Sequence, residues 1–293
     1  MAGLPLNDSG VVMARAERVA VGGARRDAGE CQVVREDVLT IEVEGIGSYA
    51  LMWTPTERSP GAVAYTAEDG LLAEQGVPEA LALAAGFVFT EGMASALTDI
   101  AAMWICAERP DVVGVRLRHP EKAAVERRNV VVNSSCGVCG GREHLMSLPA
   151  RAASARGGLR LSVADLAAIR AELQSRQSIF VRTGGAHGAA LFGSALDVLA
   201  TAEDIGRHNA LDKVIGCRLL GGQDFAGCGA FISSRISYEM VVKAARAGLA
   251  VLAAISAPSS LAIDLAQRHG LTLCGFVRDD TATIYTHPQR IVR

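Results

Sequence analysis

The sequence predicts an α/β protein with a larger, layered C-terminal α/β domain and a smaller N-terminal α+β domain. Strand-like and helix-like segments alternate from residue 179 onward, as expected for a mainly parallel sheet covered by helices. Residues 37–53, DVLTIEVEGIGSYALMW, alternate apolar and polar around Gly45 and Gly47, which is a hairpin pattern. Hydrophobic residues make up 50% of the 293-residue chain, enough for one large or two modest cores.

In chain order, residues 1–30 are rich in Ala, Gly, Arg and Asp with little periodicity, and read as a loose N-terminal extension. Residues 31–150 form the smaller domain. After the 37–53 hairpin, residues 54–79 hold Pro55, Pro60, Gly61, Gly70, Gly76 and Pro78 and read as a long loop or insertion. A helix follows over 78–91, with Pro78 in its first turn. Residues 112–118 and 128–133 are strand-like, and the second runs directly into SSCGVCGG. Residues 151–158 read as a linker opening the 151–293 domain. There, Ser162 is the natural N-cap of an amphipathic helix over 162–173. The series then predicts a strand over 179–183, a helix through Leu191 and a helix over 203–219. Strand 229–233, helix 238–246, strand 250–255, helix 261–267 and strand 273–277 complete it.

Charged residues make up 20% of the chain and its net charge is -2, which excludes the basic face that broad nucleic-acid binding requires. The first 18 residues lack an apolar run behind a basic start, and the most apolar stretch, 244–256, is interrupted by Arg246 and falls short of the roughly 20 residues a span needs. The expectation is a cytoplasmic protein that engages no membrane. Seven cysteines, odd in number and mostly isolated, read as reduced thiols.

The exception is Ser134-Ser135-Cys136-Gly137-Val138-Cys139-Gly140-Gly141. Thiols two residues apart can share one turn, the glycines free the backbone, and Arg142 and His144 favour the nucleophilic thiolate. Half of a zinc site, a thioredoxin-like dithiol and a sulfur-carrying loop all fit this spacing. The zinc reading needs two further ligands brought in by folding. Flanking glycines oppose the immediate helix of the dithiol reading. A pair of structural core cysteines is disfavoured in so polar a segment.

The second half adds polar groups at predicted strand ends. Gly184-Gly185 before His187 is read as a strand-to-helix turn whose backbone N–H groups can meet an anion. In EDIGRHNALDK, residues 203–213, Asp204, His208 and Asp212 share a helix face, with Arg207 available for a phosphate and Asp204 placed to orient His208. Ser233-Ser234-Arg235 and Ser256 to Ser260 follow two buried strands. Ligands of open α/β sheets bind beyond such ends, and Ser259 suits a helix N-cap. His187, Arg207, Arg235 and Ser259 are therefore candidate phosphate or pterin contacts. No metal site is assigned.

SSCGVCG, TGGAH, EDIGRHNALDKVIG, SSRISYEMVVKAARAG and LAAISAPSSLAIDLAQRHGLTLCGFVR occur in this order. Together they resemble the FdhD family of formate dehydrogenase accessory proteins, from about residue 38 to the C-terminus. The resemblance implies a sulfurtransferase-type accessory protein acting through a cysteine persulfide. It would accept sulfur from a cysteine desulfurase on Cys136, with Cys139 as the assisting or resolving thiol. The sulfur would pass to a molybdenum bis-(molybdopterin guanine dinucleotide) cofactor, carried as cargo, which a guanine nucleotide can mimic. The formate dehydrogenase catalytic subunit would be the recipient. The resemblance further implies a homodimer, a cytidine-deaminase-like fold in the larger domain, and a cofactor segment at Phe276, Val277, Arg278, Asp279, Asp280 and Thr281. The chain departs from the family pattern in a longer 58–79 stretch and in Asp279-Asp280-Thr281, where relatives carry a basic residue and Asn. A noncatalytic cofactor-binding chaperone is the rival function. A zinc-dependent deaminase is set aside because no proline precedes Cys136, as that chemistry's P-C-x-x-C motif requires.

Overall fold

The computed structural model describes residues 10–21, 26–57, 61–72, 76–123, 130–132 and 158–292. Within the expected loose extension, β1 (Val11–Val19) pairs antiparallel with β2 (Arg26–Val34), so this stretch is a two-stranded ribbon. Most of its side chains are exposed on both faces, so its ladder needs no apolar alternation and leaves no periodic signal.

The predicted hairpin is present as β3 (Asp37–Val43) and β4 (Gly47–Trp53), turning at Gly45 with φ +76°. The expected 54–79 loop contains a second hairpin, β5 (Val63–Thr66) and β6 (Gly70–Leu72). Strands of four and three residues are too short to show a period. The apolar helix α1 (Glu79–Thr90) follows, with Pro78 at its N-cap. Then come β7 (Ile100–Cys106), β8 (Arg109–Leu117) and β9 (Val130–Val132). These strands form a seven-stranded sheet in the order β6-β5-β7-β8-β3-β4-β9.

The second half begins with the short β10 (Leu161–Ser162) and α2 (Val163–Ser175), capped by Ser162 as expected. Two assignments are then exchanged. Residues expected to form a strand are α3 (Ser178–Thr183), and residues expected to form a helix are β11 (His187–Phe192). SIFVRT is β-branched and apolar, and a run that short does not distinguish helix from strand. Tertiary contacts decide it: Glu203 accepts from the N–H groups of Ile179 at 2.9 Å and Phe180 at 2.8 Å, capping the helix start. Glu203 and Asp204 themselves end a strand, β12 (Val198–Asp204), and the helix α4 begins later (Arg207–Leu220). The remaining elements follow the expected order: β13 (Gly229–Ile232), α5 (Tyr238–Arg246), β14 (Val251–Ala254), α6 (Ser260–Arg268) and β15 (Thr272–Gly275). Strands β16 (Thr283–Thr286) and β17 (Ile291–Val292) close the chain, β17 pairing with β10.

The six-stranded sheet runs β12-β11-β13-β14-β15-β16 and is mixed rather than mainly parallel. Only β13, β14 and β15 run parallel; the three outer strands are antiparallel to their neighbours. Its two faces separate by strand alternation. Leu191, Ile232 and Leu252 join one core with Leu81 of α1, Leu211 of α4 and Leu39 of β3. Phe192, Phe231 and Val251 join the other with Leu166 and Leu173 of α2. Helices α1 and α4 to α6 thus share one continuous core with both sheets, drawing on residues from either side of position 150.

The closest approach in that layer is between α1 and α4. A Cβ on Gly216 would lie 1.8 Å from the Ala82 carbonyl oxygen, and one on Gly86 would lie 1.9 Å from that of Asp212. The two backbones touch, and no side chain fits between them.

Candidate functional site

The polar rim lies along one edge of the six-stranded sheet. The chain leaves β13, β14 and β15 at this edge, β12 ends here, and the antiparallel β11 begins here. The loops are tied side by side. Gly188 N donates to Ser233 Oγ at 2.9 Å, Ile236 N to Ala257 O at 3.0 Å, and Phe276 N to Ser256 O at 3.2 Å. Such an edge is where ligands of open α/β sheets bind.

Four sequence-derived candidates gather at one end. His187 opens β11 opposite Asp204, Arg207 opens α4, and exposed Arg235 follows β13. His187 is half-buried and its pKa is pushed below the ordinary imidazole range, by burial first and then by Arg207 and Arg235 against the opposing pull of Asp204. The imidazole is neutral near pH 7 and faces two permanent cations. The buried Nε of Arg207 has no hydrogen-bond partner among the described residues. Glu239, in the first turn of α5, had no sequence signal. Burial works against its carboxylate, but the Ser237 hydroxyl and the charges of His208 and Arg207 hold its pKa low.

The turn before His187 differs from expectation. Gly184 is the left-handed C-cap of α3, with φ 68° and its N–H on Phe180 O at 2.7 Å. A helix C-terminus presents carbonyls there, so the expected N–H cradle for an anion is absent from Gly184 and Gly185. Asp204 is not on a helix face with His208. Its oxygens take Gly206 N, Asn209 Nδ2 and Thr54 N at 2.7, 2.9 and 3.1 Å, and lie 2.7 Å from the Lys213 ammonium. Asp212 is buried against Lys243 at 2.8 Å and Thr90, away from any solvated face.

The other end of the rim carries Ser259 and the 276–281 segment. Ser259 accepts from Ala262 N at 3.2 Å and caps α6, as its position predicted. Phe276 is 43% exposed and sits in the left-handed region with φ 51°, a strained setting for an aromatic residue of the kind that marks binding sites. Val277 is buried, while Arg278 donates to Ile255 O at 2.8 Å and its N–H closes a turn on Thr281 O. Asp279 turns onto Arg170 of α2, while Asp280 and Thr281 are exposed.

Cys136 and Cys139 lie outside the described residues, as does the 151–157 part of the expected linker. The route to the cysteines is nevertheless defined. Strand β9 runs parallel to β4 with Val132 beside Leu51. One residue past Leu51, Met52 O accepts from Asn209 of α4 at 2.8 Å, and Thr54 bonds Asp204 and Ile205. The chain therefore leaves Val132 next to the turn that carries Arg207. Cys136 is four residues further on, a reach of at most about 14 Å.

The H-x-E triplet His119-Pro120-Glu121 sits on an exposed turn, with His119 Nδ1 3.2 Å from Glu121. No helix among the described residues is long and apolar enough to cross a membrane.

The model of the FdhD/NarQ family matches residues 77–292. The chain belongs to the FdhD/NarQ family. A "Sulfur carrier protein FdhD" of Anaeromyxobacter sp. (strain K) is 38% identical over 299 residues, covering 94% of this chain and 93% of its own. Another of that name from Sulfurisphaera tokodaii is 39% identical over 211 residues, covering 72% of this chain and 79% of its own. The fold is shared with a solved structure from Desulfotalea psychrophila, described as a formate dehydrogenase accessory protein. The TM-score is 0.71 at 23% identity, over 96% of this chain and 99% of that one. The family match spans the whole rim and the cysteine pair, so the features the FdhD/NarQ model recognises and those gathered at the sheet edge fall in the same segment.

Proposed function

We propose that this protein is a cytoplasmic sulfur carrier that takes sulfur from a cysteine desulfurase on Cys136. It passes that sulfur to a molybdenum bis-(molybdopterin guanine dinucleotide) cofactor destined for the formate dehydrogenase catalytic subunit, and works as a homodimer. The carrying observation is the exit of β9, which directs the SSCGVCGG segment toward a rim of His187, Arg207 and Arg235. The names of the family relatives, sulfur carrier proteins, support the same reading.

The chemistry is a pair of thiol–persulfide exchanges. The Cys136 thiolate attacks the outer sulfur of the desulfurase persulfide. A new S–S bond forms on Cys136, and the desulfurase cysteine leaves as a thiolate. On delivery, the Cys139 thiolate attacks the inner sulfur of the Cys136 persulfide. The S–S bond breaks, hydrosulfide departs with the electron pair toward the molybdenum, and Cys136 and Cys139 are left as a disulfide. Arg207 and Arg235 hold phosphate groups of the bound cofactor, and Phe276 offers an exposed aromatic face to a planar ring.

Intact-protein mass spectrometry after incubation with a desulfurase and cysteine tests the reading. The wild type is expected to gain one sulfur and Cys136→Ser none. No gain in the wild type, with an active desulfurase, favours the noncatalytic chaperone.

A second prediction follows from His187. Its folded pKa is depressed, so the unfolded chain binds more protons; the stability it contributes is full above the ordinary imidazole range and is lost as pH falls through the folded value. A phosphate ligand reverses the sign by favouring the imidazolium. Affinity for guanosine diphosphate, measured by calorimetry from pH 7.5 down to 5.5, is expected to tighten more in the wild type than in His187→Asn. Parallel pH profiles would remove His187 from the site.

A further inference from the structure

We infer that Thr54 is a positioning residue that sets the register between the cysteine-bearing chain and the cofactor rim; this inference rests on the sulfur-transfer reading. Thr54 is fully buried and follows Trp53, the last residue of β4. Its N–H donates to Asp204 Oδ2 at 3.1 Å, its carbonyl accepts from Lys213 Nζ at 2.8 Å, and its hydroxyl accepts from Ile205 N at 3.1 Å. On one side, β4 carries β9, whose chain continues to Cys136. On the other, Asp204 pairs with His187 in the ladder, and Ile205 precedes Arg207 by two residues. One residue thus joins the strand that launches the sulfur donor to the turn that presents the acceptor's contacts. Asn209 makes a parallel tie, from Met52 O at 2.8 Å to Asp204 Oδ1 at 2.9 Å.

A hydrogen bond here adds little to folding, because the continuous core already holds the two sheets together. Transfer between two groups is far more sensitive. A displacement of about 1 Å in reacting groups can cost on the order of a hundredfold in rate. The Thr54 hydroxyl therefore matters more for the transfer step than for stability.

Thr54→Val keeps the shape and removes the acceptor for Ile205 N, and Thr54→Ser restores it. Each variant is loaded by a cysteine desulfurase with cysteine, then mixed with the molybdenum bis-(molybdopterin guanine dinucleotide) cofactor. Loss of the added sulfur is followed by intact mass, and rim affinity is measured with guanosine diphosphate. Thr54→Val is expected to load normally and bind guanosine diphosphate within about twofold of wild type, yet unload at least about tenfold more slowly, with Thr54→Ser close to wild type. Asn209→Ala is expected to show the same separation, and carries the test should Thr54→Val fail to fold. Unloading at the wild-type rate in the folded variants overturns the inference. So does a nucleotide affinity that falls in step with the rate, which would make Thr54 part of the binding site. A wild type that never loads sulfur instead overturns the sulfur-carrier reading, together with this inference.

Discussion

Gly216→Ala is expected to lose more than about 3 kcal/mol of stability, at or beyond the upper end of ordinary overpacking. The added Cβ would stand 1.8 Å from Ala82 O and 2.6 Å from Gly86 N, both backbone atoms in the middle of α1. A flexible side chain can move aside; a helix backbone cannot without opening the layer it belongs to. That layer is the core shared by both sheets, so separating α1 from α4 loosens contacts with each sheet. The better helix propensity of alanine returns only about 1 kcal/mol. Gly158→Ala, with nothing within 4 Å of the added carbon, is the control and should shift stability by less than about 0.5 kcal/mol. Urea unfolding measures both. Equal stability of the two variants would mean that the helices do not cross at their glycines.

Lys213→Met is the second large effect, about 3–5 kcal/mol, because it strips the counter-charge from buried carboxylates. Lys213 Nζ lies 2.7 Å from Asp204 and 2.6 Å from Glu79, donates to Thr54 O and Glu203 O, and rests 5.1 Å from the centre of the Trp53 ring. Burial works against its ammonium, but the Asp204 and Glu79 carboxylates outweigh it and raise its pKa. Removing Lys213 leaves Asp204, which is fully buried, without its cation. Adding Asp204→Asn to Lys213→Met removes that orphaned charge, so the double variant should recover part of the loss. Losses that simply add in the double variant would show that the two groups act independently.

Much of the fold was legible locally. The 37–53 hairpin declared itself by alternation and by glycine at a turn needing positive φ. Helices α5 and α6, their flanking strands and the Ser162 cap all lay close to where pattern and capping chemistry put them. The SSCGVCGG segment and the ordered polar motifs likewise carried the family membership in the residues themselves. These features depend on neighbours within a few positions, which is the range a linear pattern reports.

What escaped the pattern depends on distant neighbours. SIFVRT became a helix because Glu203, more than twenty residues away, caps it, and the glycine pair after it therefore ends a helix instead of opening one. The ribbon of β1 and β2 buries too little to alternate. EDIGRHNALDK reads as a solvated helix face, yet Asp204 ends a strand and Asp212 and Lys213 are buried. Thr54 gave no signal at all, because its partner Asp204 lies 150 residues away. A carboxylate or ammonium tolerates burial only once the fold has brought its counter-charge and donors to it. Such pairings are therefore properties of the packed chain rather than of any local stretch of it.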